Sequence, residues 1–332
     1  MLPYIARRLL LLIPVLLAIS LVSFMLIELP PGNYLSTLLA QMRQRGVDLS
    51  PSEQAGLVRQ YGLDQSVLER YWAWLHNIIF EGDFGRSFRW NKPVSEILSE
   101  RVPLTIAISL ATTVFIFVVA VPIGIYSAIH KYSIFDYVFT FLGFIGLAIP
   151  SFLLALVMLW VFYSLFGWNM SGLFSQEFVD APWDLNKIGN LLSRIWFPMI
   201  IIGLNGTAGL IRVMRGNLLD ELQKQYVITA RSKGLREGAI LFRYPVRIAV
   251  NPIVSTIGWL LPAIVGGEIL VSIVLNLQTT GPVLLAAVTG QDLYLAASIV
   301  LILSTLTVIG TLVADLLLAW LDPRIRFERA RR

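Results

Sequence analysis

The segment Tyr226-Val-Ile-Thr-Ala-Arg-Ser-Lys-Gly-Leu-Arg-Glu237 is a basic stretch, interrupted by a glycine, between two long apolar segments. Apolar segments of that length cross a membrane as helices, which places the basic stretch in a loop outside the lipid. A long polar loop is not stabilised by contact with lipid, so we expect a soluble partner to bind it. Working outward from this stretch, the sequence predicts a helical protein that crosses a membrane several times.

The composition supports the same interpretation. Of the 332 residues, 56% are hydrophobic and 14% are charged, whereas soluble domains have about 25% charged residues. The net charge of +5 in such a chain indicates orientation in the bilayer rather than nucleic-acid binding. There is no cysteine, and His76 and His130 lie far apart, so we expect no disulfide, no metal site and no cofactor.

Six apolar segments predict the fold class, an all-α polytopic membrane protein with six transmembrane helices. The first, Leu9–Ile27, follows Arg7 and Arg8 and ends at Glu28-Leu-Pro-Pro-Gly32. It is too long for a signal peptide and has no cleavage site of small residues, so it is predicted to be an uncleaved helix. The other five segments are 104–129, 137–166, 195–211, 250–274 and 293–320.

Lysine and arginine residues predict the orientation. Eight of them lie in the 212–249 loop and five in the 322–332 tail, whereas the 167–194 and 275–292 loops together hold two. Loops rich in lysine and arginine stay in the cytoplasm. Both termini and the 212–249 loop are therefore predicted to be cytoplasmic.

Residues 30–102 form a polar insert that is predicted to be an extracytoplasmic helical domain. Ser50-Pro-Ser-Glu53 has the pattern of a capping box, and Asp64 is a candidate N-cap for the next helix. Residues 93–100 predict a short amphipathic helix leading into the second span. Either the insert is a docking surface for an external delivery protein, or it covers the ends of the helices.

Polar and helix-bending residues inside the spans are candidates for a translocation path. Gly266, Gly267 and Glu268 fall near the middle of the fifth apolar segment, where a charge costs about 2.5–3.5 kcal/mol on insertion scales. Glu268 is therefore predicted to face a cavity or a partner, and Pro150 is predicted to kink the third span. The alternative is a helix-packing site with a neutral Glu268.

The sequence lacks common catalytic motifs. No lysine precedes serine or threonine, so there is no P-loop, and neither His-Glu-x-x-His nor Gly-x-Ser-x-Gly occurs. We expect that this chain is not an enzyme. If ATP drives its function, another chain must bind the ATP.

The 212–249 loop predicts two short helices. Asn217 is a candidate cap, residues 218–233 are predicted to be helical, Gly234 suits a left-handed position after the helix, and a second helix follows from about Arg236. Their basic face would suit an acidic cleft on a partner. The alternative is a solvated face held near anionic lipid.

Thr229-Ala230 with Gly234 resembles the EAA motif of the permease subunits of ABC importers, and the form of the whole 226–237 segment is similar to the dipeptide/oligopeptide/nickel branch. The resemblance covers nearly the whole chain. The other matching segments are Tyr4-Ile-Ala-Arg-Arg-Leu9, Tyr61-Gly-Leu-Asp64, Gly82-Asp-Phe-Gly-Arg-Ser87, Pro93-Val94, Pro150-Ser-Phe152 and Asp322-Pro-Arg-Ile325. The chain departs from the family pattern at Ile228, at Tyr244-Pro-Val-Arg247 and at Leu275-Asn-Leu-Gln-Thr-Thr-Gly-Pro282.

The resemblance implies a type I ABC importer permease in a bacterial or archaeal plasma membrane. Its implied partners are a second, similar permease, two ATP-binding subunits and an extracytoplasmic solute-binding protein. The external insert marks the first permease of the pair. The implied ATPase-coupling residues are Thr229, Ala230, Ser232, Lys233, Gly234, Leu235, Arg236 and Glu237.

Two other functions stay open at this stage: a stand-alone secondary transporter or channel, and a membrane scaffold that binds an ATPase. The two halves of the chain differ in loop plan and ionisable residues within the spans are sparse, which disfavours a secondary transporter. Peptides are the expected substrate, with oligosaccharides as the alternative. The predicted regions are 1–29, 30–102, 103–321 and the tail 322–332.

Overall fold

The computed structural model describes residues 2–28, 50, 52–53, 56, 58, 65–257, 260 and 269–321. Within those residues every regular element is a helix, apart from one isolated antiparallel bridge between Arg86 and Pro93. The all-α prediction is confirmed for this part of the chain. The helices are α1 (Leu2–Glu28), α2 (Val67–Glu81), α3 (Val94–Ile129), α4 (Ile134–Ala148), α5 (Ser151–Phe166), α6 (Leu185–Leu222), α7 (Gln225–Ser232), α8 (Glu237–Arg243), α9 (Pro245–Ala249), α10 (Asn251–Ser255), α11 (Thr280–Thr289) and α12 (Leu293–Leu321).

Several of these helices are long and apolar enough to cross a membrane. Among the described residues, α3, α6 and the 293–317 part of α12 qualify singly, and α4 with α5 qualifies as a bent pair. The predicted short helix at residues 93–100 is the first part of α3, which continues without a break into the second span. The apolar part of α1, Leu10–Met25, and helix α11 are shorter.

The third predicted span is divided, which corrects the expectation of one long helix over 137–166. Helices α4 and α5 meet at an angle of 106°. Ile149 has extended backbone angles, φ −91° and ψ 123°, and Pro150 is the N-cap of α5. Proline lacks an N–H group and pushes the preceding residue out of the helical region, so the helix must end there and restart.

The described part of the chain forms two compact units. The first comprises residues 1–104 and 279–308. In it, Phe24 of α1 is buried against Tyr71 and Trp74 of α2. The small residues Ala296, Ala297 and Ser298 at the start of α12 are buried, and Ala296 belongs to the same apolar cluster as Val94 at the start of α3.

A buried carboxylate in this unit holds the connector between α2 and α3. Ser87 Oγ donates to Asp292 Oδ2 over 2.5 Å, and the Arg89 backbone N–H donates to the same oxygen over 3.0 Å. The Arg89 side chain reaches the Ala286 carbonyl, at 3.1 Å. These bonds fix the 82–93 connector against the residues just before α12.

Local capping signals in the insert behave as expected. Ser50 and Glu53 form the predicted capping box, with the Ser50 N–H donating to Glu53 Oε2 over 2.8 Å. A second capping box, which was not predicted, joins Ser66 and Glu69 at the start of α2. The predicted cap Asp64 lies outside the described residues.

The second unit comprises residues 105–278 and 309–332. Helix α6 is central, because α4, α5 and α9 pack against it. Its early part holds the preceding loop: Arg194 donates to the carbonyls of Asn169 and Ser171 at 2.7 and 3.0 Å. Lys187 is buried and donates to the Ala181 carbonyl, so both basic residues serve this loop.

Candidate functional site

Residues 225–243, here called the hairpin, fold as α7 and α8 around a small apolar core. Val227, Ala230 and Ile240 are buried in it, and the rings of Tyr226 and Tyr244 pack against it with centroids 6.4 Å apart. Ala230, predicted as a coupling residue, is therefore part of the core. A larger or charged side chain at that position would displace its neighbours.

The turn between the two helices has the predicted conformation. Gly234 has a φ of +73°, the left-handed region that side chains other than glycine seldom adopt. Its N–H donates to the Arg231 carbonyl over 2.9 Å, and the Leu235 N–H donates to the Ala230 carbonyl over 3.4 Å. The prediction for Gly234 is confirmed, and this turn sets the path of the chain between α7 and α8.

The other predicted coupling residues lie on the surface of the hairpin. The Thr229 and Ser232 hydroxyls donate to the Gln225 and Ile228 carbonyls of their own helix, at 2.9 and 3.1 Å. These two hydroxyls are therefore engaged within the helix, and the side chains exposed on the hairpin surface are mainly cationic or apolar. The exposed predicted residues are Thr229, Ser232, Lys233, Gly234, Leu235, Arg236 and Glu237, and sequence reasoning missed exposed Ile228 and Phe242.

An ion pair links the two helices of the hairpin across the turn. Arg231 donates from Nε to Glu237 Oε1 over 2.8 Å and from Nη2 to Oε2 over 3.2 Å. The Glu237 carboxylate raises the pKa of Arg231 through these bonds. Because both side chains are well exposed, the pair orients the surface more than it stabilises the fold.

The hairpin is attached directly to the end of α6. That helix runs on to Leu222, so Asn217 lies inside it and the predicted cap there is wrong. Met214 and Leu218 are fully buried, and their packing carries the helix past the point where a local cap was expected. Asn217 Nδ2 instead donates to the Ala249 carbonyl, at 3.4 Å.

A tyrosine anchors the start of the hairpin to α6. The Tyr226 hydroxyl donates to Glu221 Oε2 over 2.5 Å. Burial raises the pKa of Tyr226, and the bond to Glu221 raises it further, so the hydroxyl keeps its proton and remains a donor. This bond connects the start of the hairpin to the last turn of α6.

Sequence reasoning also missed a buried ion pair on α6, between Arg215 and Asp136 of α4. Ser133 is the N-cap of α4, and its hydroxyl accepts from the Asp136 N–H. This Ser-x-x-Asp pattern was a local signal for the start of α4. No local signal pairs Asp136 with a residue 79 positions away.

The predicted translocation path is described only at one position. Pro150 lies at the bend between α4 and α5. Gly266, Gly267 and Glu268 lie outside the described residues, and their role stays a prediction. Within the described ranges, no group of three His, Cys, Asp or Glu side chains is arranged to hold a metal ion.

Comparison with known proteins agrees with this arrangement. Residues 120–327 match the family model described as "binding-protein-dependent transport system inner membrane component", and residues 1–111 match the N-terminal model of the same kind of component. The first match includes the hairpin and the whole of α6. The second includes α1, α2 and the first part of α3.

Curated relatives match along nearly their whole length. The oligopeptide transport system permease protein AppB of Bacillus subtilis is 33% identical, over 98% of this chain and 99% of the relative. The dipeptide permease DppB of Alkalihalophilus pseudofirmus is 29% identical, over 98% and 100%. The peptidoglycan permease YejB of Agrobacterium fabrum is 29% identical, over 98% of both chains. The chain belongs to the family of binding-protein-dependent transport system inner membrane components, the permease subunits of ABC importers.

Proposed function

We propose that this chain is the first of two paired permeases in an ATP-driven importer of peptides. It receives the substrate from an extracytoplasmic solute-binding protein and passes it to the cytoplasm by alternating access. A second permease completes the path, and two ATP-binding subunits supply the energy. The chain itself carries out no ATP hydrolysis.

The hairpin is the observation that carries this proposal. Its core of Val227, Ala230 and Ile240 gives it a fixed shape, and its surface presents basic and apolar side chains together. Such a surface suits an acidic cleft with an apolar floor on each ATP-binding subunit. When those subunits bind ATP and close, they move the hairpin. The hydrogen bond between Tyr226 and Glu221 then carries the movement to the end of α6.

The proposed topology has six spans with both termini in the cytoplasm. Helices α1, α3 and α6, the bent α4–α5 pair and α12 supply five of them. The fifth span in chain order is the apolar 250–274 segment. Residues 30–102 are extracytoplasmic in this arrangement, and the 212–249 loop that contains the hairpin is cytoplasmic.

The translocation path is proposed to run along the fifth span and the bend at Pro150. A carboxylate at Glu268 would then face the path rather than the lipid. Uptake by Glu268→Gln and Glu268→Ala variants tests this role. Transport at the parent rate in both variants would contradict a role for Glu268 in the translocation path.

Peptides are favoured as the substrate because the relatives are named as oligopeptide and dipeptide permeases. Oligosaccharides are the second candidate. The solute-binding protein that copurifies with the chain decides between them, because its ligand is measured directly by calorimetry with peptide and oligosaccharide panels.

The coupling role is tested by two matched substitutions, each of which replaces an alanine of the hairpin with aspartate. Ala230 is buried, whereas Ala239 is exposed. Ala230→Asp places a charge in the core and is expected to leave ATP hydrolysis running without uptake, while the complex still assembles in the membrane. Ala239→Asp, the control, is expected to retain most uptake. Unchanged uptake in Ala230→Asp and in Gly234→Pro would contradict the coupling role.

The alternative function is a stand-alone secondary transporter, which an uptake assay distinguishes. The complex is purified in mild detergent, identified by mass spectrometry and reconstituted in vesicles. We expect a second permease, a P-loop ATPase and a solute-binding protein to copurify, and uptake to require ATP. Uptake driven by an ion gradient, with the chain recovered alone, would establish the alternative.

A further inference from the structure

Helix α2 has two apolar faces, of which only one is buried in the protein. Tyr71, Trp74 and Leu75 pack toward α1. Exposed apolar side chains remain beside this buried side; residues 68, 72 and 79 are four and seven apart, which places them along one side of the helix, and residue 80 follows directly. They are Leu68, Trp72, Ile79 and Phe80, which are 52%, 61%, 61% and 73% exposed.

The contacts of the inner face fix the level of α2 along α1. The Tyr71 hydroxyl lies 2.9 Å from Ser20 Oγ and donates to the Leu17 carbonyl over 3.4 Å. The Phe24 ring lies 5.6 Å from the ring of Tyr71 and 5.4 Å from that of Trp74. Helix α2 therefore packs beside the second half of α1, not beyond its end.

That level is inside the apolar segment of α1. The segment ends at Ile27, and at 1.5 Å per residue Ser20 is about 10 Å and Phe24 about 4 Å short of that end. The apolar part of a spanning helix lies within the hydrocarbon. Helix α2 must then lie at or just below the boundary between head groups and acyl chains.

We propose that α2 is an interfacial helix whose outer face, formed by Leu68, Trp72, Ile79 and Phe80, is immersed in lipid. This inference rests on the proposed topology, in which α1 spans the membrane. Interfacial helices bury their apolar face about 5–10 Å into this boundary. The inner contacts with α1, which run from Phe24 down to Leu17, place α2 at this depth or somewhat deeper, independently of the outer face.

The exposed carboxylates of α2 are placed where such a helix tolerates them, whereas His76 is exposed beside the apolar side chains and packs on the Phe80 ring with centroids 4.6 Å apart. The carboxylates, Glu69 and Glu81, lie in the first turn and at the last residue, within reach of the head groups. The Ser66–Glu69 capping box and the left-handed Gly82 satisfy backbone groups at the two ends. Exposed Trp72 is of a residue type enriched at membrane boundaries.

Water is a poor environment for the same face. Groups of large exposed apolar side chains on a surface in water mark an interaction or membrane surface, and α2 exposes four of them along one short helix, with His76 among them. Lipid covers such side chains without any partner. The insert would thus be held in the plane of the membrane by α2, with the 82–93 connector fixed above it through Ser87 and Asp292.

Because the chain has no cysteine, single cysteines report depth directly. Trp72→Cys, Ile79→Cys and Glu81→Cys are each labelled with a nitroxide in the assembled importer, in nanodiscs. Electron paramagnetic resonance then compares the accessibility of each label to oxygen, which concentrates in lipid, and to a water-soluble nickel chelate. Val15→Cys on the exposed side of α1 is the reference for a spanning helix.

We expect labels at residues 72 and 79 to favour oxygen over the nickel chelate at least several-fold, and the label at residue 81 to show the reverse. Nickel accessibility at 72 and 79 equal to that at 81 would overturn the inference, and so would protection from both reagents, which would indicate a covering protein subunit. A label at residue 15 in water would instead reject the proposed topology. ATP-driven uptake is measured on the same preparations. It shows whether the proposed function holds, so a failure of that function is distinguished from a wrong position of α2.

Discussion

Arg215 of α6 and Asp136 of α4 form a two-pronged ion pair. Arg215 Nε donates to Asp136 Oδ1 over 2.9 Å, and Nη2 donates to Oδ2 over 2.8 Å. The Tyr132 backbone N–H donates to the same Oδ2 over 3.0 Å. The pair joins the turn before α4 to α6, the helix that leads into the hairpin.

The first prediction concerns this pair. The side chain of Asp136 is 3% exposed and that of Arg215 is 26% exposed. Asp136→Asn removes the carboxylate charge and leaves Arg215 partly buried without a counter-charge, which is expected to lower the free energy of unfolding by about 3 kcal/mol. The thermal unfolding midpoint of the purified permease in detergent measures the loss.

Arg212→Gln is the control for this prediction, because it removes an arginine from the same helix at an exposed position. It is expected to change the midpoint little. The double variant Asp136→Asn with Arg215→Gln should cost less than the two single changes added together. Strict additivity would show that the two groups do not interact.

The second prediction concerns the close approach of α3 and α6. A Cβ atom at Gly124 would lie 2.6 Å from Met214 Cβ and 3.1 Å from the Ile211 carbonyl oxygen. Because Met214 is buried and one of the contacts is backbone, Gly124→Ala is expected to destabilise the fold by about 1–3 kcal/mol. The shift in thermal unfolding midpoint measures it.

Gly209→Ala on α6 is the matched control, since nothing lies within 4 Å of its added Cβ. Replacing a glycine in the interior of a helix adds up to about 1 kcal/mol of helix stability. The two alanine substitutions should therefore shift the midpoint in opposite directions. A common direction would contradict the close packing at Gly124.

The third prediction concerns the turn of the hairpin. Gly234→Ala forces a residue with a Cβ atom into the left-handed region at φ +73°, at a cost of about 1–2 kcal/mol. We expect reduced uptake per ATP hydrolysed, because the turn positions the exposed side chains that we propose to bind the ATPase. Uptake and ATP hydrolysis are measured on the same vesicles.

Gly238→Ala tests whether this effect is specific to the turn. Gly238 lies in α8, has no neighbour within 4 Å of an added Cβ and has no positive φ. Its ratio of uptake to hydrolysis should equal that of the parent. If both variants lose coupling to the same degree, the conformation of Gly234 is not the cause.

The fourth prediction concerns pH and the cap of α2. The Ser66 backbone N–H, and then its hydroxyl, lower the pKa of Glu69 in the folded protein. The ionised Glu69 cap therefore stabilises the fold fully above the ordinary carboxyl pKa. This stabilisation is lost as the pH falls through the lowered pKa of Glu69 in the folded protein. The thermal midpoint of the parent should exceed that of Glu69→Gln near neutral pH, and the gap should close in acid.

Glu81→Gln serves as the control for the pH experiment, because it removes a carboxylate from the other end of α2 without removing a cap. The gap between this variant and the parent should not follow the same pH course. A gap for Glu69→Gln that is independent of pH would show that the charge of Glu69 does not contribute to the cap.

Short-range features of the fold were predictable from the sequence. The left-handed Gly234, the Ser50–Glu53 capping box and the break at Pro150 each depend on a few neighbouring residues. In each case backbone sterics or a local hydrogen bond selects the conformation. Even so, the sequence predicted a kink at Pro150 where the structure has a bend of 106°, because the size of the bend depends on packing.

The sequence by itself determined the membrane-spanning, all-helical class, since long apolar segments have few other stable arrangements. It also determined the left-handed turn at Gly234, whereas the helix predicted over 218–233 is divided between α6 and α7. Only the tertiary structure decided that α6 continues through Asn217, that Ala230 is buried against Ile240, and that Asp136 pairs with Arg215. Those outcomes depend on which distant side chains are brought together, and packing free energy between elements outweighs the weaker local preferences.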